Sequence, residues 1–278
     1  MDKSNRLFKT HRLHNTSTIV VRGSARRSGA TFTASNLAYR LAQSNKRVLL
    51  MDFTIWNNDL SARFGAISNR GLPELARQHR LSGTLETDTV QSLTIPAHST
   101  CELRLLSNAK DWIVFPEFQG AVGWDFVHAI LESILSEYDW IVIDIGAHQA
   151  QDDIQDWNKF SPACTIHLGL LNIAHKIINV FPPYGAVRSW IYSGFIPKSI
   201  TPKEIFVINK RTWFDVFTDF LTPYPHNLPM CSLPDAHSAQ IRQGTGFMLE
   251  VVERNGSASY IEKKLQKGFD CLYRLVTM

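Results

Sequence analysis

A short segment near the start of the chain has the residue types of a phosphate-binding loop. The β-branched run at residues 18–22 predicts a strand, and residues 32–44 predict a helix. Between them lies a turn of small residues that contains Gly29. A strand, a tight loop and a helix place backbone N–H groups at a helix N-terminus, where they can bind a phosphate group. The segment therefore predicts a phosphate site.

The loop departs from the usual pattern of such sites, G-x-x-x-x-G-K-[ST], at two positions. With Gly29 as the second glycine, Thr31 takes the place of the hydroxyl that binds Mg²⁺. Ala30 takes the place of the lysine, and Ser24 that of the first glycine. The loop keeps N–H groups for a phosphate, but it lacks the lysine that offsets the charge of the β- and γ-phosphates.

Two aspartates lie at the ends of apolar runs further along the chain. Asp52 ends the run at residues 48–51, and Asp144 ends the run at residues 140–143. In open parallel sheets, ligands bind at the carboxyl ends of the strands. We therefore expect both carboxylates to lie near the phosphate loop, where they are candidate magnesium ligands together with Thr31.

The rest of the chain alternates strand and helix patterns. This alternation predicts an α/β fold with a mostly parallel central sheet and helices on both faces. Strands are expected at residues 18–22, 47–52, 102–106, 140–144, 163–168, 205–209 and 231–233, and helices at 32–44, 124–137 and 258–275. Residues 173–187 contain Pro182 and Pro183, which exclude an unbroken helix there. We expect a single domain at residues 18–278, preceded by a flexible basic arm at residues 1–17.

Composition excludes several classes of protein. A hydrophobic share of 44% over 278 residues suits a globular core. No apolar run approaches the roughly 18 residues that a membrane helix needs. The start of the chain has no apolar signal segment, so a cytoplasmic location is expected. The four cysteines match no metal-ligand spacing. Of the ten histidines, His148, His167 and His175 come nearest to a cluster, but their spacing matches no ligand motif and we expect them in loops or at the surface.

Basic charge is concentrated at the start of the chain. Up to Arg47 the chain has ten lysines and arginines, and its only acidic residue is Asp2. Such a surface can meet nucleic acid, anionic lipid or a phosphate ligand. A solvated surface without a ligand explains the same composition, and both interpretations remain open.

Taken together, these motifs resemble the ParA/MinD superfamily of P-loop ATPases. The segment from Gly29 to Ala42 is similar to the family's loop and first helix, G-K-T-T-x-x-x-N-L-A-x-x-L-A, and residues 48–52 to its V-L-L-x-D strand. Ala30 points to the CpaE/TadZ branch, whose members often carry G-A-[TS]-T and serve pilus assembly. Similar stretches occur in the family's order at residues 60–65, 71–75, 105–107, 138–146, 206–210 and 233–235.

The resemblance implies a P-loop fold that binds ATP and magnesium, with the adenine near Asn209 and Asp235. It also implies a homodimer in which the loop faces a second subunit. The expected partners are proteins of a pilus or secretion machine, and the basic arm is a candidate contact for anionic lipid. The protein would then lie in the cytoplasm or at the inner face of the membrane.

The departures from the family pattern predict little or no ATP hydrolysis. The family's signature lysine falls on Ala25, its next two glycines on Arg26 and Arg27, and the second aspartate of D-x-D on Thr54. Arg26 and Arg27 can offset phosphate charge in part, or they can form a charged surface on a loop without ligand.

Three functions follow from these observations. The leading one is a non-hydrolysing or weakly hydrolysing factor that positions a pilus or secretion machine. The second is an active partition-type ATPase that binds DNA through the basic surface, which the missing lysines disfavour. The third is a scaffold that keeps the fold without a nucleotide.

Overall fold

The computed structural model describes residues 16–24, 28–54, 60, 64, 66, 71–108, 120–147, 164–181, 203–211, 229–234 and 260–278. Its strands are β1 (Ser17–Gly23), β2 (Val48–Asp52), β3 (Ile95–Pro96), β4 (Leu103–Leu106), β5 (Trp140–Ala147), β6 (Lys176–Phe181), β7 (Glu204–Arg211) and β8 (Met230–Pro234). The helices in these ranges are α1 (Ala30–Ala42), α2 (Leu72–Ser82), α3 (Thr87–Leu93), α4 (Gly120–Ile134), α5 (Cys164–Ile173) and α6 (Tyr260–Thr277).

One eight-stranded sheet forms the centre of the fold, with the order β3-β4-β2-β5-β1-β6-β7-β8. Every neighbouring pair from β4 to β8 is parallel, and the two-residue strand β3 pairs with β4 in the antiparallel direction. The predicted mostly parallel α/β sheet is confirmed. Its two central strands, β5 and β1, have side chains buried on both faces of the sheet, which explains their continuous apolar sequences.

Helices pack on both faces of the sheet. Successive side chains of β1 point to opposite faces, so Ile19 and Val21 enter one core while Val20 enters the other. The first core is covered by α1 and α6, whose aromatic rings Phe32 and Phe269 meet edge to face at a centroid distance of 5.9 Å. The second core is covered by α2, α4 and α5. Because neighbouring strands from β4 to β8 are parallel, their carboxyl ends lie together at one edge of the sheet.

The predicted strand at residues 163–168 is wrong, because the chain forms helix α5 over Cys164–Ile173. The run is apolar almost throughout, so its periodicity does not separate a buried strand from a buried helix. Ile166 and Leu170 face the second core at helical spacing. A Cβ atom at Gly169 would lie 2.2 Å from the Trp124 ring, so the glycine allows α5 to pack closely against α4.

The strand that follows α5 was not predicted. Strand β6 (Lys176–Phe181) pairs with β1 and ends directly before Pro182. A proline cannot donate to the strand ladder, so the two prolines that exclude a helix also fit the end of a strand.

The remaining predicted elements agree with the structure to within a few residues. Helix α1 begins at Ala30 rather than residue 32, and α6 runs over Tyr260–Thr277 rather than 258–275. Residues 1–15 of the predicted arm lie outside the described residues, whereas Thr16 donates from its hydroxyl to the Tyr138 carbonyl at 2.8 Å. Among the described residues, no helix combines the length and apolar character required to cross a membrane.

Candidate functional site

The strand-end aspartates lie side by side at the carboxyl edge of the sheet. In the parallel pairing of β2 with β5, Asp52 is directly opposite Asp144, and Asp144 is opposite Val21 near the end of β1. Both aspartates are fully buried. The structure therefore brings together the two carboxylates and the strand that leads into the loop, as the sequence pattern predicts.

Each of these carboxylates accepts hydrogen bonds from residues that closely follow it. Asp52 Oδ1 accepts from the Thr54 N–H at 3.2 Å and from the Thr54 hydroxyl at 2.6 Å. Asp144 Oδ1 accepts from the Gly146 N–H at 2.9 Å. Donors at a carboxylate favour its charged form, which opposes the effect of burial.

Helix α1 begins at the loop with an N-terminus suited to an anion. Gly29 is its N-cap residue, no side chain of the described residues caps it, and its first turn contains no acidic residue. The first N–H groups of a helix have no partner inside the helix, and the helix dipole makes this end positive. The position is therefore favourable for a phosphate group.

Gly29 has a left-handed backbone conformation and a close neighbour at the end of β7. Its φ angle is +96°, and a Cβ atom there would lie 1.8 Å from Asn209 Nδ2. Asn209 donates from Nδ2 to the Ser28 carbonyl at 2.8 Å and is only 3% exposed. The end of β7 thus contacts the loop directly, and an adenine near Asn209 stays a prediction.

The position of the missing lysine serves packing. Ala30 is 6% exposed and belongs to the core beneath α1. The neighbouring Thr31 is partly exposed at the same helix end, and its carbonyl accepts from the Ser35 hydroxyl at 2.9 Å. Arg26, Arg27 and Asp235, the other predicted site residues, lie outside the described residues.

Two buried residues next to the site were not predicted. Asn108 donates from Nδ2 to the Thr54 carbonyl at 3.0 Å, and His167 Nε2 lies 3.2 Å from the Phe53 carbonyl. His167 is fully buried in α5, so the expectation of a loop or surface position is wrong for this histidine. Neither hydrogen bond could be predicted from local residue spacing, because in each one the donor and the acceptor are far apart in the chain.

The protonation state of His167 follows from this environment. Burial lowers the pKa of His167 to about 4, and the hydrogen bond to Phe53 opposes the shift. The ring is therefore neutral at neutral pH. Since a carbonyl oxygen can only accept, Nε2 carries the proton and donates it to Phe53.

The residues of the site fit a phosphate and a magnesium ion. Magnesium prefers oxygen ligands, which Thr31, Asp52 and Asp144 supply in carboxylate and hydroxyl form. The start of α1 offers N–H groups to a phosphate. At the position where the loop pattern has a lysine, Ala30 provides no positive charge.

Sequence comparisons find no matching family model and no matching curated protein. Solved structures do match. A ParA family ATPase from Chlorobium tepidum superposes with a TM-score of 0.63 at 16% identity, covering 93% of this chain and 99% of that one. A chain of the MinC:MinD cell division protein complex of Aquifex aeolicus gives a TM-score of 0.61 at 16% identity, covering 95% of this chain and 97% of that one.

MinD of Pyrococcus horikoshii, complexed with Mg-ADP, gives a TM-score of 0.55 at 17% identity, covering 94% of this chain and 96% of that one. At such identities the likeness concerns the fold. The likeness extends over nearly the whole chain in each of these structures. The chain has the P-loop fold of the ParA/MinD-type ATPases.

Proposed function

We propose that this chain is a ParA/MinD-like protein that binds ATP with magnesium and hydrolyses it slowly or not at all. The observation that carries the proposal is the site at the carboxyl edge of the sheet. There Asp52 on β2 lies opposite Asp144 on β5, and β5 is the neighbour of β1, which leads into the Gly29 loop. Ala30 is packed into the core at the position where the loop pattern has a lysine. Binding groups are present, and the cation that usually stabilises the reacting phosphates is absent from this position.

The residues have separate roles in this proposal. The N–H groups at the start of α1 bind phosphate oxygens, while Thr31, Asp52 and Asp144 hold magnesium, directly or through water. The magnesium ion supplies positive charge to the phosphates when it is bound. Arg26 and Arg27 are proposed as additional phosphate contacts, and Asn209 and Asp235 as neighbours of the adenine.

The slow hydrolysis follows from electrostatics. Phosphoryl transfer depends mainly on positioning and on cations near the developing charge. Loss of such a group commonly raises the barrier by several kcal/mol, and each ~1.36 kcal/mol reduces the rate about tenfold. With alanines at positions 25 and 30, this chain lacks both lysines of the family pattern.

We further propose that the protein acts as a positioning or assembly factor rather than as a metabolic enzyme. The resemblance of the Gly29–Thr31 loop to the CpaE/TadZ branch supports a pilus or secretion machine as partner, and a homodimer as the working form. The basic arm is the proposed contact for an acidic partner or for anionic lipid at the inner membrane face. DNA is the less favoured partner.

Titration of the purified chain with ATP and magnesium, with phosphate release measured in parallel, tests the proposal. We expect saturable binding with negligible turnover. Turnover like that of an ordinary ATPase would support the partition-type alternative. Absence of binding would support a scaffold without nucleotide.

A further inference from the structure

The segment directly after β2 is held by side chains from other parts of the fold. Phe53 and Thr54 are 0% and 4% exposed. The Phe53 N–H donates to the Asp144 carbonyl at 2.8 Å, and the Phe53 carbonyl accepts from His167 Nε2 at 3.2 Å. The Thr54 carbonyl accepts from Asn108 Nδ2 at 3.0 Å. Both residues are thus fixed by β5, α5 and the residue pair that follows β4.

Two donor groups of Thr54 bond to the same oxygen of Asp52. Thr54 donates from its N–H at 3.2 Å and from its hydroxyl at 2.6 Å, both to Oδ1. Rotation of an aspartate carboxylate about its last bond is soft, so two donors on the same oxygen decide how the group is turned. Thr54 therefore sets the orientation of the Asp52 carboxylate.

The residue type at position 54 matters for charge as well as for geometry. Where this position carries an acid, a second carboxylate would lie two residues from Asp52, in a region that is already fully buried beside Asp144. A threonine brings a hydroxyl donor instead of a further negative charge. A hydroxyl can donate to Asp52 and so fix the rotation of its carboxylate, whereas an ionised acid at this position could only accept.

We propose that Thr54 is a positioning residue for Asp52, and that Asn108 and His167 hold Thr54 in place. Groups that hydrogen-bond to a metal ligand orient it, and their loss typically weakens metal binding 10–100-fold. Thr54 acts on magnesium through Asp52 and does not itself contact the nucleotide. The inference rests on the proposed nucleotide site and assigns roles to three residues outside its direct contacts.

The test compares nucleotide affinity with and without magnesium in the full chain. A fluorescent ATP analogue is titrated in excess Mg²⁺ and again in excess EDTA, and the ratio of the two dissociation constants is the magnesium gain. Thr54→Val removes the hydroxyl at nearly constant volume, and Thr54→Ser keeps it. The matched control is Thr33→Val, because Thr33 is also buried and its hydroxyl has no hydrogen-bond partner among the described residues.

We expect Thr54→Val to reduce the magnesium gain by about tenfold or more while affinity in EDTA stays as in the wild type. Thr54→Ser should restore most of the gain, and Thr33→Val should leave it unchanged. Asn108→Ala should also lower the magnesium gain. It should raise amide hydrogen exchange at Thr54, since the hydrogen bond from Asn108 to the Thr54 carbonyl is lost.

The possible failures are distinguishable. If Thr54→Val keeps the full gain while Asp52→Asn loses it, Asp52 acts without Thr54 and the inference is overturned alone. A wild type that binds nucleotide equally well with and without magnesium overturns the inference and leaves the nucleotide site standing. A wild type without affinity under either condition overturns the proposed function, and the inference with it.

Discussion

Gly29→Ala tests whether the loop and the end of β7 are coupled as the structure shows. An L-residue at φ +96° is strained by roughly 1–2 kcal/mol. In addition, the new Cβ would lie 1.8 Å from Asn209 Nδ2, so the buried hydrogen bond from Asn209 to Ser28 must break. That loss costs about 1–3 kcal/mol. The expected decrease in the free energy of unfolding is therefore roughly 3 kcal/mol.

Gly83→Ala is the matched control. Gly83 also has a positive φ angle, +73°, but in the part of the chain that the structure describes a Cβ atom there would meet nothing within 4 Å. Only the backbone strain of an L-residue at positive φ remains, roughly 1–2 kcal/mol. Both variants are measured by urea denaturation, and their difference isolates the collision with Asn209.

The same assay provides an internal check on the cause. In an Asn209→Ala background the collision is absent, so Gly29→Ala should cost only the backbone strain, and the two substitutions should be clearly non-additive. Equal effects of Gly29→Ala and Gly83→Ala, or additivity with Asn209→Ala, would refute the proposed contact between the loop and β7.

Three further predictions follow from buried or half-buried groups. Thr33→Val should leave stability unchanged or raise it by a few tenths of a kcal/mol in urea denaturation, because it removes a buried hydroxyl that no described residue hydrogen-bonds. In the folded state the pKa of His167 lies below its ordinary value of 6.5, so the unfolded chain binds the proton more tightly. The free energy of unfolding should therefore fall as the pH drops from about 6.5 to about 4. By linkage the loss is about 3 kcal/mol, and His167→Gln should remove this part of the pH dependence measured by denaturation. Arg40→Met should cost at most about 1 kcal/mol, since its 2.8 Å ion pair with Asp270 is partly exposed; a larger loss would mean that packing against Tyr273 dominates.

The sheet and the aspartates at its carboxyl edge were largely predictable because local patterns encode them. The apolar runs that end in Asp52 and Asp144 predict buried parallel strands, and parallel strands share a carboxyl edge. Helix α6 was also predictable, since Leu265, Phe269 and Leu272 follow a helical period and are buried.

Other features depend on contacts between distant residues and have no local signal. The run in α5 is apolar almost throughout, so its local pattern does not separate helix from strand, and its packing against Trp124 is a contact between distant residues. The sequence identifies Asn209 as a strand-end residue, but its bond to Ser28 depends on the placement of β7 beside β6 and β1. Likewise, nothing near His167 in the chain indicates that its ring meets Phe53.

The central claim is that this chain has a nucleotide site that binds without efficient hydrolysis. The most direct measurement is the equilibrium affinity for ATP with magnesium, combined with steady-state phosphate release on the same preparation. We expect saturable binding of ATP with magnesium that Asp52→Ala weakens, with turnover at the background level in both proteins. Turnover comparable with an ordinary ATPase that Asp52→Ala abolishes would contradict it.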